Sequence, residues 1–251
     1  MDLELAGKCA LITGGSRGIG KAVAMSLAHE GAEIAIAARD RDRLDATAKE
    51  IAEATGVTVK GFVVDTGDEQ SVMALVRDVI GEFGHIDILV NGAAKPGGQG
   101  TPPTYDQVTT ELFFEDMNVK VMGYLRCAQQ VAPHMINRGW GRIINISGLA
   151  ARQAGTVIGS VRNVAVSAMT KNLADALGPY GINVTVVHPG LTATEATSPE
   201  ALARPATNVV GHMITAEEVA NVVTFLASPK SSSMTGDPVV VGGGVPRAIY
   251  Y

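Results

Sequence analysis

The stretch Thr13-Gly14-Gly15-Ser16-Arg17-Gly18-Ile19-Gly20 lies between an apolar run at residues 9–12 and a helix-like run at 21–29, so it reads as a strand, a glycine turn and a helix start. Glycines at such a junction leave backbone N–H groups uncovered at the positive end of a helix, where a phosphate can lie without meeting a side chain. The turn therefore predicts a dinucleotide seat. Its spacing, Gly14-x3-Gly18-x-Gly20, differs from the G-x-G-x-x-G fingerprint. A tight turn whose glycines serve only φ stays open from these residues alone.

Strand-like runs at 9–12, 33–37, 60–64, 86–90, 142–146, 183–187 and 239–241 alternate with helical periods. This pattern predicts an α/β fold: a doubly wound, seven-stranded parallel sheet with helices on both faces, Rossmann-like. A chain of 251 residues is expected to form one domain, 1–251. With 46% hydrophobic and 18% charged residues disorder is not expected, and a net charge of −5 leaves no basic footprint for nucleic acid. The expected partner is a small-molecule substrate. Neither a long apolar run nor a basic, then apolar, start appears, so no membrane association is expected and the location should be cytoplasmic. Cys9 and Cys127 read as buried free thiols. The five histidines have no ligand spacing, so no metal is expected. Two Gly- or Pro-containing segments, 94–110 and 192–213, are candidate substrate loops.

The end of the second strand reads Ala37-Ala38-Arg39. A carboxylate there would suit the 2′-hydroxyl of NAD, whereas an arginine suits a 2′-phosphate. Arg39, with Arg17 in the turn, points to NADP(H) through charge-assisted bidentate bonds. Arg41 and Arg43 read instead as a solvated helix start.

Several motifs together resemble the short-chain dehydrogenase/reductase family over about residues 6–244. They are Thr13-Gly14-x-x-x-Gly18-x-Gly20, Asn91-Gly92-Ala93-Ala94 (similar to the family's Asn-Asn-Ala-Gly), Asn118, Ser147 and Pro189-Gly190-x-x-x-Thr194. The resemblance implies that Gly14, Ser16, Arg17, Gly18, Ile19 and Gly20 hold the pyrophosphate, and that Asp65 and Thr66 meet the adenine. It also implies that Asn91, Gly92 and Ala93 line the cofactor, and that Pro189, Gly190, Leu191, Thr192 and Thr194 hold the nicotinamide. Asn118 would kink a helix and hold a relay water, and Ser147 would bind the substrate oxygen. A homo-oligomer, a tetramer joined through the helices bearing Cys127 and Ser167, is likewise implied.

The family's Tyr-x-x-x-Lys pair is missing. Registering on the downstream Ser167-Ala168-Met169-Thr170-Lys171 places Gly159 and Asn163 at the two positions, and counting from Gly148 places Val161 and Ala165 there. No tyrosine lies between Tyr124 and Tyr180, and no lysine between Lys120 and Lys171. Glycine donates no proton. Asn163 can hydrogen-bond ribose hydroxyls but carries no charge. Lys95, Tyr105, Arg152 and His188 are the substitutes to consider, with His188 and Tyr105 ahead. The candidate catalytic set is thus Ser147, Asn118, Asn163, His188 and Tyr105. Two functions stay open: an oxidoreductase with an unusual proton donor, or a catalytically weak NADP(H)-binding sensor or partner subunit.

Overall fold

The strands are apolar on both faces, and their period-two alternation sorts them into two cores. In the computed structural model, which describes residues 1–94 and 103–247, seven strands form one parallel sheet. They are β1 (Cys9–Thr13), β2 (Glu33–Ala38), β3 (Val59–Val63), β4 (Ile88–Asn91), β5 (Gly141–Ile146), β6 (Ile182–Pro189) and β9 (Pro238–Val241), in the order β3-β2-β1-β4-β5-β6-β9. The expected architecture is present. The intervening helices are α1 (Gly18–His29), α2 (Arg41–Thr55), α3 (Glu69–Phe83), α4 (Thr110–Met117), α5 (Gly123–Arg138), α6 (Val157–Leu177), α7 (Pro199–Leu202) and α8 (Ala216–Ala227).

Ala10 and Ile12 of β1 face a core shared with Val23 and Leu27 of α1 and Val219 and Val223 of α8. Cys9 and Leu11 face the opposite core, with Val72 and Val76 of α3, Cys127 and Val131 of α5, and Leu177 of α6. Both cysteines are buried free thiols, as expected. Among the described residues no helix is long and apolar enough to cross a membrane.

After β3 the chain returns to pair β4 with the other side of β1, so the direction of winding reverses between β1 and β4. The strand ends on either side of that reversal leave a crevice, the place where such sheets bind ligands. Thr13 pairs with both Ala37 and Asn91, and Asn91 with Asn145, which brings Gly14, Arg39, Gly92 and Ser147 to one edge.

Two features differ from the sequence expectation. β4 starts two residues after its apolar run, because Asp87 turns aside to accept from the Cys9 N–H at 3.1 Å and to pair with His85 at 3.0 Å. A second, two-stranded ladder joins β7 (Thr192–Ala193) to β8 (Ile214–Thr215), so the segment 192–213 is pinned at both ends. Strands of two residues are too short to carry a period.

Candidate functional site

The turn after β1 is shaped by close backbone approach. Gly14 has φ +72°, and a Cβ on it would stand 2.8 Å from the Gly92 carbonyl carbon. On Gly20 a Cβ would press on the Gly14 carbonyl oxygen. Neither position admits a side chain, so the turn hugs the start of α1 and exposes its N–H groups. Arg17, the residue before α1, provides no side-chain cap. The Gly18 N–H donates instead to the carboxylate of Glu195, at 2.8 Å. A carboxylate drawn from 177 residues away stands in for the anion that a helix start attracts, and a phosphate group fits the same donor.

The arginines at the end of β2 differ in their contacts. Arg41 donates to the Gly61 carbonyl at 3.1 Å and lies 3.6 Å from Asp45, and Arg43 lies 3.6 Å from Asp40. Arg17 and Arg39 are exposed and make no side-chain hydrogen bond or ion pair among the described residues. Asp68 caps α3 by accepting from the Gln70 N–H, which frees Asp65 from that duty. One oxygen of Asp65 still takes the Gly67 N–H at 2.9 Å. The Thr66 hydroxyl donates to the Val119 carbonyl at 3.2 Å, so toward a ligand its side chain can only accept. Asn91 is buried, its Nδ2 donating to Asn145 Oδ1 at 2.9 Å, while its own Oδ1 has no partner among the described residues. Its side chain thus joins strands β4 and β5 and does not face the crevice.

Beyond the reversal, the Ser147 hydroxyl lies 3.0 Å from the Asn163 carbonyl and 3.3 Å from its Oδ1. This engages its proton with α6 and leaves its lone pairs for a substrate. Asn163 is 5% exposed, and its Oδ1 accepts from the Nζ of Lys120 at 2.9 Å. Lys120, 4% exposed, also donates to the Ser147 carbonyl at 3.1 Å. Burial first, then the Arg162 guanidinium, holds its pKa down to about 7, with Asp116 opposing. Arg162 and Asp116 form a two-bonded ion pair at 2.7 and 2.9 Å between α6 and α4.

Lys120 reaches this place because residues Asn118–Met122 form a π-turn between α4 and α5. Tyr124, one turn on, donates its hydroxyl to the Ile146 carbonyl at 3.0 Å. Lys120 and Tyr124 therefore grip successive carbonyls at the end of β5. Asn118 does not join them: its Nδ2 donates to the Gly67 carbonyl at 3.0 Å and its Oδ1 accepts from Arg126 at 2.8 Å. The π-turn starts at Asn118, where the resemblance implied a kink, and the side chain of Asn118 is held by the β3–α3 turn and by Arg126.

The other proposed donors are poorly placed. Tyr105 is 83% exposed in a 3-10 turn, with no side-chain hydrogen bond to Ser147 or Asn163. His188 is 1% exposed, its Nε2 lying 3.4 Å from the Ser167 hydroxyl and its Nδ1 without a partner among the described residues. Burial, then Arg152 and Lys120, lowers its pKa to about 4, so the ring is neutral near pH 7 and a poor acid. Lys95 lies outside the described residues. Gly159 sits in the first turn of α6 and donates its N–H to the capping Thr156 hydroxyl at 3.0 Å.

The segment after β6 closes the crevice. Gly190 donates to the Val241 carbonyl at 2.9 Å, Thr192 donates to the Gly190 carbonyl at 3.0 Å, and Leu191 is exposed. The Thr194 methyl lies 3.4 Å from where a Gly18 Cβ would stand, so this segment touches the glycine turn. Sequence reasoning missed Lys120 and Glu195. The available signal for the first was a lone lysine among Val119, Val121 and Met122; for the second there was none. Among the described residues no cluster suits a metal ion.

A sequence profile described as Enoyl-(Acyl carrier protein) reductase matches residues 14–246. The short-chain reductase protein NovJ of Streptomyces niveus is 35% identical over 249 residues, covering 94% of this chain and 93% of NovJ. The 3-oxoacyl-(acyl-carrier-protein) reductase FabG of Aquifex aeolicus is 33% identical over 251 residues, covering 98% of this chain and 100% of that protein. Among solved structures, L-sorbose reductase of Gluconobacter frateurii, complexed with NADPH and L-sorbose, superposes with a TM-score of 0.91 at 31% identity, covering 99% of this chain and 100% of that one. A short chain dehydrogenase of Burkholderia cenocepacia in complex with NADP gives 0.85 at 34% identity, covering 96% and 98%.

Proposed function

Because this chain belongs to the short-chain dehydrogenase/reductase family, we propose that it is an NADP(H)-dependent oxidoreductase, one domain over 1–251, with an atypical active site. The observation that carries this reading is the anion seat at the start of α1, filled by the Glu195 carboxylate and flanked by Arg17 and Arg39, which have no side-chain partner among the described residues. Bound there, the cofactor supplies or accepts a hydride. Gly14, Gly18 and Gly20 give the pyrophosphate its approach, Arg17 and Arg39 bind the 2′-phosphate, and the 189–194 segment covers the nicotinamide. The substrate class is a small carbonyl, hydroxyl or activated alkene.

Losing one or two charged hydrogen bonds at about 1.5 to 3 kcal/mol each sets the NADPH over NADH preference at about tenfold or more. Calorimetric titration at moderate salt tests this. Arg39→Ala should erase most of the preference, and equal affinities in the wild type would remove the reading. Glu195→Gln should tighten NADPH binding by about threefold, since a charged competitor leaves the seat; unchanged or weaker binding would show that the carboxylate does not compete.

A second reading, a catalytically weak NADP(H) sensor or partner subunit, is favoured by the state of the tyrosines. Tyr124 has its hydroxyl committed and its acidity suppressed by burial, and Tyr105 stands in solvent. A carbonyl and enone panel separates the two.

We also propose a homo-oligomer, a tetramer by the family resemblance. Val157, Val161 and Val164 of α6 are exposed at i, i+4 and i+7, an apolar stripe that association would cover. Light scattering should give a mass above the 26.0 kDa of one chain, and Val164→Asp should lower it. A wild-type monomer at micromolar concentration would reject this.

A further inference from the structure

Lys120 is a buried ammonium without a carboxylate of its own. Its two partners, the Ser147 carbonyl and Asn163 Oδ1, are neutral. The nearest acid, Asp116, is doubly bonded to Arg162. Burying a charge on those terms is expensive, and such a group is rarely kept for packing. An ammonium also has three donors, and two are used here.

The pair has a direction. Lys120 can only donate, so the Asn163 oxygen must face it and the Nδ2 must face away. That nitrogen lies 3.1 Å from where a Cβ on Gly148 would stand, and it donates no hydrogen bond among the described residues. Gly148, having no side chain, leaves this side open. The cluster stands at the end of β5, across the β1–β4 reversal from Arg17 and Arg39. A dinucleotide whose pyrophosphate rests on the β1 turn has its adenosine half at those arginines and its other nucleoside half here.

Resting on the NADP(H) reading above, we propose that Lys120 and Asn163 work as one unit, in which Asn163 donates from Nδ2 to the sugar hydroxyls of the nicotinamide half and Lys120 positions and polarises that amide from behind. The charge comes from the π-turn and the contact from α6. Lys120 is thus a positioning residue. Three charged or titratable groups act on it electrostatically: Asp116 from α4, Arg162 from α6 and His188 from β6, the last neutral near pH 7. The charge on Lys120 itself is then the one that changes near neutrality, about pH 7.

The experiment compares NADPH with adenosine 2′,5′-bisphosphate, which carries only the adenosine half, on the full chain. In the wild type the NADPH dissociation constant should rise about tenfold between about pH 6.5 and 9 while that of the bisphosphate shows no matching rise. Lys120→Met should bind NADPH about tenfold more weakly at the lower pH, be flat with pH, and meet the wild-type curve at the upper end. Its affinity for the bisphosphate should be unchanged, which also certifies the fold. A lysine that merely braces the π-turn would give equal weakening at every pH, or none, and either result overturns the proposal. Failure of the wild type to bind either probe would instead remove the cofactor reading, and this inference with it.

Discussion

Lys120→Met should abolish a pH dependence of stability that the wild type shows between about pH 7 and pH 10. The sign follows from proton counts. In the folded protein Lys120 loses its proton near pH 7, whereas in the unfolded chain a lysine keeps it to about pH 10.4. Across that window the unfolded state binds more protons, so wild-type stability rises with pH, by about 1.4 kcal/mol per unit. The penalty for a charged Lys120 is fully present below about pH 7 and absent above about pH 10.4. Buried Cys9 and Cys127, both held protonated by burial, give the opposite slope at high pH in both proteins. The quantity to read is therefore the difference between the two proteins in denaturant melts. That difference should change by about 3 kcal/mol over two pH units. A constant difference would mean that Lys120 stays charged in the fold across this window.

The second large effect concerns chemistry. Carbonyl reduction by the wild type should lack the contribution of a general acid, about 10²- to 10⁴-fold, or roughly 3 to 5 kcal/mol of barrier. Ser147 has its proton engaged with Asn163, His188 is neutral, and Tyr105 is in solvent. Restoring the family pair is not a matter of two substitutions. A Cβ at position 159 would stand 2.7 Å from the Thr156 hydroxyl, so a tyrosine there must displace the cap of α6, at about 0.5 to 2 kcal/mol. A lysine at 163 would stand against the Lys120 ammonium. Gly159→Tyr with Asn163→Lys should therefore fold poorly, and adding Lys120→Asn should relieve the repulsion. The triple variant should reduce simple ketones with bound NADPH about 10²-fold faster than the wild type in single-turnover experiments. No gain in a folded, NADPH-binding triple variant would show that the missing tyrosine is not what limits the rate.

The sheet and the glycine turn were legible because each rests on a local rule. Seven apolar runs separated by helical periods leave few topologies, and Gly14 and Gly20 mark where backbones meet. The division between Arg39 and its neighbours Arg41 and Arg43 was legible for the same reason, since helix-start arginines find partners one turn away. The place of Lys120 beside Ser147 and Asn163 was not legible. A lone lysine in an apolar helix normally reads as a surface residue with a buried stem. The resemblance implied a kink at Asn118, where the π-turn begins, but not that the shift in helix phase carries Lys120 to Ser147. Glu195 escaped because its contact spans 177 residues and depends on how the 192–213 segment folds back.

The most direct test of a cofactor site that has outlived its usual acid is one stopped-flow record on the wild type, mixing protein with NADPH and then with an excess of simple aldehydes and ketones. The expected result is saturable binding of one NADPH per chain, about tenfold or more tighter than NADH, followed by little or no cofactor oxidation on the timescale of seconds. Oxidation at roughly tens per second, or the absence of saturable NADPH binding, would contradict it.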